Sequence, residues 1–300
     1  MFPPFCRKKS PRWVLRCEAP PTAGLFILSV IGSIKLPCEL RLERREDISF
    51  FVPSNLLPEG SVRVVFSTRK GGVSPPPYES LNLAFHVGDE EANVLENRRV
   101  FCSAIGLDLG RLTTAQQVHG SKIAVVGQDL VGRGAFDEET AIPVVDGLIT
   151  NLTGVPLAVF LADCVPIVLF DPLRRAIGIA HAGWKGTHSG IALNLVESLV
   201  GVFRSRPENL LAFVGPSIRS CCYEVDAELF QMFKDRFRGE VSEQGRLDLV
   251  MLNVRQLKRG GVFQKNIHFS RLCTACKASL FFSHRAEGQT GRQAAIVALL

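Results

Sequence analysis

The sequence predicts a single α+β domain built from many short strands and a few helices. Residues 157–161, 166–170 and 176–180 are each of strand length, rich in Val, Ile, Leu and Phe, and bounded by Gly, Pro or Asp. Their apolar runs are continuous rather than alternating, which predicts strands buried on both faces. Helical periodicity is confined to a few other segments, and no linker or internal repeat divides the chain.

Composition bounds the function classes. With 46% hydrophobic and 21% charged residues, 300 residues hold enough apolar material for a sizeable core. The net charge of +6 resides in residues 1–45, where nine Lys or Arg face three Glu. The remainder is balanced, so there is no electrostatic case for a nucleic-acid partner. Nine scattered cysteines in a chain of this size suit a reducing compartment, here the cytoplasm, better than a disulfide framework. No apolar run reaches eighteen residues, so no transmembrane helix and no membrane association is expected. Residues 23–34 resemble an export signal faintly, but the prolines before them and the lack of a small-residue cleavage site argue against one. Residues 1–46 are expected to be an extension outside the fold, and residues 47–300 the catalytic domain.

In order along the body, residues 62–67 read as a strand. It runs into the Gly-rich turn 68–74, whose N–H groups, with Arg69 and Lys70, suit either an anion or an ordinary turn. Residues 90–105 read as a helix with Asp89 as cap, acids in its first turn and Gly106 at its end. Residues 112–119 and 123–126 are strand-like, with His119-Gly120-Ser121 as the turn between them. Residues 189–203 form an amphipathic helix and 210–214 another strand. Asp226 caps a helix through Phe237, and 250–258 is a short helix stopped by Gly260-Gly261. Apolar segments 280–283 and 294–300 bracket the polar loop 284–292.

At two strand ends the apolar pattern breaks into reactive residues. Leu161 leads into Ala162-Asp163-Cys164, and Ala180 leads into His181-Ala182-Gly183-Trp184. A thiol and an imidazole beside small residues, each just past a buried strand, suit a site on a rigid scaffold. His119 joins them by residue type. One Cys with two His is a common zinc set, and three protein ligands with an open fourth position define a catalytic site with water activated at neutral pH. A structural site would be closed by a further ligand such as Cys221, Cys222 or Cys273. The intervals of 45 and 17 residues are no zinc-finger signature. Two other readings therefore stand: a Cys164 nucleophile with His181 as base, as in cysteine hydrolases or deamidases, and buried residues satisfied by hydrogen bonds. Cys273-x-x-Cys276 could be redox-active or half of a zinc site, but it lacks a second pair of matching spacing, because Cys221 and Cys222 are adjacent, and Cys273 and Cys276 read as two free thiols. His188 reads as solvated near a helix start. Of the isolated His86, His268 and His284, the last, in a polar loop, is the best functional candidate.

The motifs together closely resemble one family. They are TRKGGVS at 68–74, YESLNLAFHVGD at 78–89, Asn97-Arg98-Arg99, QQVHG at 116–120, Asp146-Gly147, ADCVP at 162–166, HAGWKG at 181–186, GPSI at 215–218, Tyr223-Glu224-Val225, and residues 281–292. The chain from about Val62 onward resembles the zinc-dependent purine nucleoside phosphorylases formerly labelled polyphenol oxidases or laccase-domain proteins. The resemblance implies a four-layer α/β/β/α fold with two mixed sheets packed together. It implies zinc ligands and catalytic residues at His119, Cys164 and His181. It implies purine nucleosides and phosphate as partners, with phosphorolysis of adenosine, inosine, guanosine and S-methyl-5′-thioadenosine, and adenosine deaminase activity beside it. Candidate substrate contacts are Arg69 and Arg285 for phosphate, by their planar forks, with Asn82, Gln117 and Asp163; the last two suit either the purine or orientation of the ligands. The family's terminal loop carries two Arg and an Asp where this chain has Arg285-Ala286-Glu287. Copper is the alternative metal by ligand softness, as in a one-metal polyphenol oxidase, but six histidines and no His-x-His pair exclude a multicopper laccase.

Overall fold

The apolar runs between residues 147 and 182 become the inner strands of a sandwich. The computed structural model describes residues 40–54, 57, 60–239, 241 and 245–300, all within one compact unit, Leu36–Leu300. The signal-like residues 23–34, and the expected extension up to residue 39, lie outside the described residues. In chain order the strands are β1 (Leu40–Arg45), β2 (Ile48–Pro53), β3 (Val62–Ser67), β4 (Ile123–Val125), β5 (Gly147–Thr150), β6 (Leu157–Leu161), β7 (Val165–Asp171), β8 (Ala176–Ala182), β9 (Leu211–Val214), β10 (Ile267–Phe269) and β11 (Gln293–Leu299). The helices are α1 (Glu91–Ala104), α2 (Trp184–Ser189), α3 (Ile191–Phe203), α4 (Ala227–Arg236), α5 (Leu249–Arg259) and α6 (His284–Glu287).

One sheet has the order β1-β2-β3-β11-β6 and is antiparallel throughout. The other, β10-β9-β7-β8-β5-β4, is mixed, with parallel pairs at its two edges. Between them Phe66, Val159 and Val297 of one sheet pack with Val168, Ile177, Ile179 and Phe213 of the other. The period of two along β7 shows why both faces must be apolar: Val168 and Phe170 face the partner sheet, while Val165, Ile167 and Leu169 face helices. Leu195 and Leu199 of α3 and Leu252 and Leu257 of α5 cover that outer face. Phe101 and Cys102 of α1 cover the other sheet through Phe50, Val65 and Phe160. The layers are thus α/β/β/α in a single α+β domain, as expected.

Local departures have local causes. Residues 40–45, assigned from sequence to the extension, form the edge strand β1 paired with β2, so the folded body begins before residue 47. Its charged LRLERR pattern suits a solvated edge and hides it among the basic residues upstream. Residues 112–119 make only isolated bridges at Thr113 and Ala115 before opening into a loop. The helix expected from 189 starts two residues later, because Gly190 at φ 89° ends α2 and separates it from α3. The terminal polar loop holds α6, capped by the Ser283 hydroxyl, which accepts from Ala286 N–H at 3.2 Å; no strand forms at 280–283.

Arg98 ties α1 to the loops beside β6. It is buried, donates from Nε to Leu83 O (2.8 Å) and from a terminal nitrogen to Gly134 O (2.6 Å) and Ala135 O (2.9 Å), and lies 4.2 and 4.6 Å from the ring centres of Phe85 and Phe160. Burial, only partly offset by nearby acidic groups, pushes its pKa down to about 9. Arg98→Ala leaves three carbonyls without this donor. At about 1–3 kcal/mol for each buried unsatisfied group, denaturant unfolding should register a loss of at least about 3 kcal/mol against wild type.

Candidate metal centre and active site

Three short segments deliver the reactive residues to one place. Cys164 sits on the turn between β6 and β7, where Asp163 adopts φ 87°, a left-handed conformation uncommon outside glycine. Three contacts hold that turn. Asp163 Oδ1 accepts from the Thr274 hydroxyl (2.6 Å), Oδ2 from Arg285 N–H (2.7 Å), and its carbonyl from Ile218 N–H (2.9 Å). His181 lies within β8, opposite Pro166 in register, and its Nδ1 donates to Asp146 Oδ1 at 2.9 Å. His119 stands on a second left-handed residue, φ 60°. The same Asp146 carboxylate accepts from the N–H groups of Val118 (3.2 Å), His119 (2.9 Å) and Gly120 (2.6 Å). One fully buried carboxylate therefore sets both imidazoles. From sequence, Asp146 stood out only as half of an Asp-Gly pair.

The ligand atoms of His119, Cys164 and His181 lie within 4.8 Å of one another, and the two imidazole rings are 4.8 Å apart at 78°. Asp146 occupies Nδ1 of His181 and leaves Nε2 to the site, the usual arrangement behind a metal-bound histidine. Gly183 is required by close approach: a Cβ there would lie 2.9 Å from His119 Cδ2 and 3.1 Å from Cys164 Sγ. Burial opposes ionisation of the Cys164 thiol, but the field of His181 and hydrogen bonds from both histidines outweigh it and bring the pKa down to about 6. Burial opposes charge on His181 as well, and Cys164 with Asp146 overcomes it, up to about 9. A thiolate flanked by imidazoles, with a carboxylate behind one of them, is a donor set that fits zinc. Among the described residues no fourth His, Cys, Asp or Glu joins this group. Cys221, Cys222 and Cys273 lie elsewhere, grouped with Cys276.

The open side faces a cavity of about 460 Å³. Phe160, Trp184, Ile218 and Tyr223 give it apolar walls, and His86, His284, Arg285 and Arg292 add polar ones. Of the expected substrate contacts, Gln117, Asp163 and Arg285 line it, whereas Arg69 and Asn82 do not. Gln117 is paired with the Phe160 backbone, donating to its carbonyl (2.9 Å) and accepting from its N–H (2.7 Å). Arg69 is buried, donates to Glu79 O and Ala278 O, pairs with Glu287 at 2.5 Å and lies over Phe282. Its Nε and one terminal nitrogen are thus engaged inside the fold and it does not line the cavity, which counts against the phosphate role expected of it. Glu287 serves Arg69 rather than Arg285. Asn82 accepts from Ala84 N–H and Arg292 N–H and donates to Asp89, so it acts on the cavity only by fixing Arg292 from behind. The Gly-rich turn is no anion cradle. The N–H groups of Gly72, Val73 and Ser74 are taken by Ser80 Oγ, Asn97 Oδ1 and Ser80 O, and a Cβ on Gly72 would collide with Ser80 O at 2.2 Å.

Sequence reasoning missed Arg292 and the aromatic wall. Arg292 immediately precedes β11, and only that strand's pairing with β6 brings it to Cys164. Burial lowers its pKa, while Cys164 and Asp163 favour its charge. Arg285 donates to Glu224 O at 2.6 Å and lies 5.2 Å from the Tyr223 ring centre, so it stands over the cavity mouth.

Two measurements check this geometry. In metal-free protein, alkylation of Cys164 should proceed at full rate above a midpoint near pH 6 and slow below it, as the thiolate takes up a proton. Added zinc should suppress it. Asp146→Ala should weaken metal retention about 10–100-fold in chelator competition, the usual cost of losing an outer partner of a ligand.

A family model described as "multi-copper polyphenol oxidoreductase laccase" matches residues 63–300. Purine nucleoside phosphorylase YlmD of Bacillus subtilis (strain 168) is 37% identical over 242 residues, covering 78% of this chain and 87% of the relative. Adenosine deaminase RL5, from an unknown prokaryotic organism, is 34% identical over 232 residues, covering 74% and 88%. The crystal structure of YlmD from Geobacillus stearothermophilus superposes with a TM-score of 0.81 at 36% identity, covering 88% of this chain and 99% of that one. The copper wording finds little support in the site, since among the described residues a single candidate ligand group contains histidine. The extent of these matches, together with the shared fold, shows that the chain belongs to the laccase-like family that this model describes, alongside proteins named purine nucleoside phosphorylases.

Proposed function

We propose that this protein is a cytoplasmic, zinc-dependent purine nucleoside phosphorylase. It acts on adenosine, inosine, guanosine and S-methyl-5′-thioadenosine, with adenosine deamination as a second activity. The observation that carries this reading is the convergence of His119, Cys164 and His181 on one wall of a cavity that also presents aromatic faces and two arginines. The names of the relatives supply the reaction. The catalytic unit is the body from β1 to the C-terminus. Free cysteines agree with a reducing compartment, and among the described residues no helix is long and apolar enough to cross a membrane.

The cavity volume lies in the range of small-molecule sites, roughly 300–1,000 Å³. Phe160, Trp184 and Tyr223 offer faces on which a purine can stack. Arg285 and Arg292 offer charged donors to phosphate and hold it against the ribose. His284, whose Nδ1 is engaged by Gly288 O at 2.8 Å, keeps Nε2 for a proton or hydrogen bond to the departing base. Asp163 and Gln117 act by positioning, the first holding the Cys164 turn and Arg285, the second fixing Phe160. Zinc held by His119, Cys164 and His181 supplies a Lewis acid. A second reading follows from the low thiol pKa. Cys164, His181 and Asp146 also form the nucleophile, base and orienter of a cysteine hydrolase.

Incubation of the purified protein with adenosine, with and without phosphate, separates these readings. Adenine and ribose 1-phosphate should appear only with phosphate. Inosine alone in both conditions leaves a deaminase, and neither product removes the reading. A cysteine hydrolase would instead be trapped covalently at Cys164 by an alkylating substrate analogue whether or not zinc is present. Arg285→Ala and Arg292→Ala should each raise the KM for phosphate by about tenfold or more, from about 1.5–3 kcal/mol for a charged hydrogen bond. Arg69→Ala should lower stability and leave that KM in place.

A further inference from the structure

Four of the cysteines, of which Cys273 and Cys276 were expected to be free thiols, form a second cluster that the reaction does not use. Cys221 and Cys222 lie on the loop after β9, and Cys273 and Cys276 on the loop after β10. All four Sγ atoms lie within 4.8 Å of one another. Cys276 Sγ is 3.5 Å from Cys221 Sγ and 3.3 Å from Cys222 Sγ. A zinc–thiolate distance of about 2.3 Å in a tetrahedron puts sulfurs about 3.8 Å apart, close to what is seen. Cys276 touches two sulfurs at once, so the group has four corners and no unique disulfide pairing. It is also too tight to enclose a cluster containing inorganic sulfide, whose outer thiolates stand at opposite ends.

We propose that Cys221, Cys222, Cys273 and Cys276 bind one zinc ion in a closed tetrathiolate site, separate from the catalytic centre, that clips the loop carrying Ile218 and Tyr223 of the cavity to the loop that leads to His284 and Arg285. Binding forms four Zn–S bonds and releases the thiol protons to solvent. The loops are prepared for it. Ser217 and Cys273 form a parallel bridge, Ser217 N–H donates to Leu272 O (3.4 Å) and Thr274 N–H donates to Ser217 O (3.1 Å). The backbone N–H groups of Cys276 and Arg219 donate to the Cys273 sulfur, stabilising a thiolate as they would around a metal-bound sulfur. Cys273 is buried while Cys221 and Cys276 are exposed, so an ion can enter from solvent without crossing the cavity.

What the clip holds is specific. Cys222 is followed directly by Tyr223, and the Cys273–Cys276 loop leads through residues 277–283 to His284 and Arg285. Thr274, between the two cysteines of that loop, donates to Asp163, the neighbour of Cys164. The ion would stiffen the wall opposite the catalytic ligands without touching substrate.

The test uses the full chain, purified under reducing conditions and reconstituted with zinc alone. Wild type should hold two zinc per chain. His181→Ala should keep one, and X-ray absorption on that variant should show four sulfurs at about 2.3 Å. Cys273→Ser/Cys276→Ser should lose one equivalent, melt at lower temperature and keep the other. If that double variant does not fold, the His181→Ala sample decides alone through titration with a mercurial, in which one zinc should be released only as four thiols are consumed. No sulfur-bound zinc in reconstituted His181→Ala would overturn the proposal. So would disulfides among these four in the reduced preparation, or a mercurial titration of that variant in which thiols are consumed without release of zinc.

Discussion

The site depends on one buried carboxylate. Asp146 has no exposure, yet it meets three backbone N–H groups of the 118–120 turn and the ring of His181. Burial alone would raise its pKa, but the His181 contact and the backbone donors hold it below the ordinary carboxylate range. The charge is thus compensated by partners that the fold supplies, as an interior ion requires. Because Asp146 immediately precedes β5, whose residues pair with β8, the distance from His181 to the His119 turn is set by sheet register rather than by a flexible loop. Two histidines 62 residues apart in sequence become neighbours through one side chain at the entry to the strand between them.

Two of the six left-handed non-glycine residues among those described stand at the site. His119 and Asp163 both take left-handed backbone, each costing about 1–3 kcal/mol. The hydrogen bonds that oppose this cost are made by the same residues: Asp146 grips one turn, and the Asp163 carboxylate engages Thr274 and Arg285 for the other. At Asp163 the left-handed turn re-aims the chain sharply at the end of buried β6, and Cys164 emerges at the cavity.

Features whose partners are near in sequence, or whose chemistry is self-declaring, were legible beforehand. The buried runs of β6, β7 and β8 announced themselves by continuous hydrophobicity, and Cys164 and His181 by interrupting it. The four layers came from the family resemblance rather than from periodicity, whereas His119 joined the pair by residue type and took its ligand role from the resemblance. What stayed hidden depends on long-range register. Arg69 and Arg292 are both arginines beside Gly-rich turns, and nothing local says that one is filled by Glu287 and the other faces the cavity. β1 was missed because a charged edge strand looks like a charged extension. The cysteine cluster was missed because an adjacent Cys-Cys pair matches no familiar spacing and acquires meaning only when two loops 50 residues apart are laid side by side.

Asp163 ties the Cys164 turn to three segments through its two carboxylate oxygens and its carbonyl: the 274 loop, the start of α6 and the loop at Ile218. Thermodynamic linkage gives that junction a consequence. A ligand that ordered Arg285 would also steady the turn carrying Cys164, and a group held at the thiol would in return steady Arg285, each by the same free energy. Occupancies of the two ends, were both to bind, would then be reciprocal quantities.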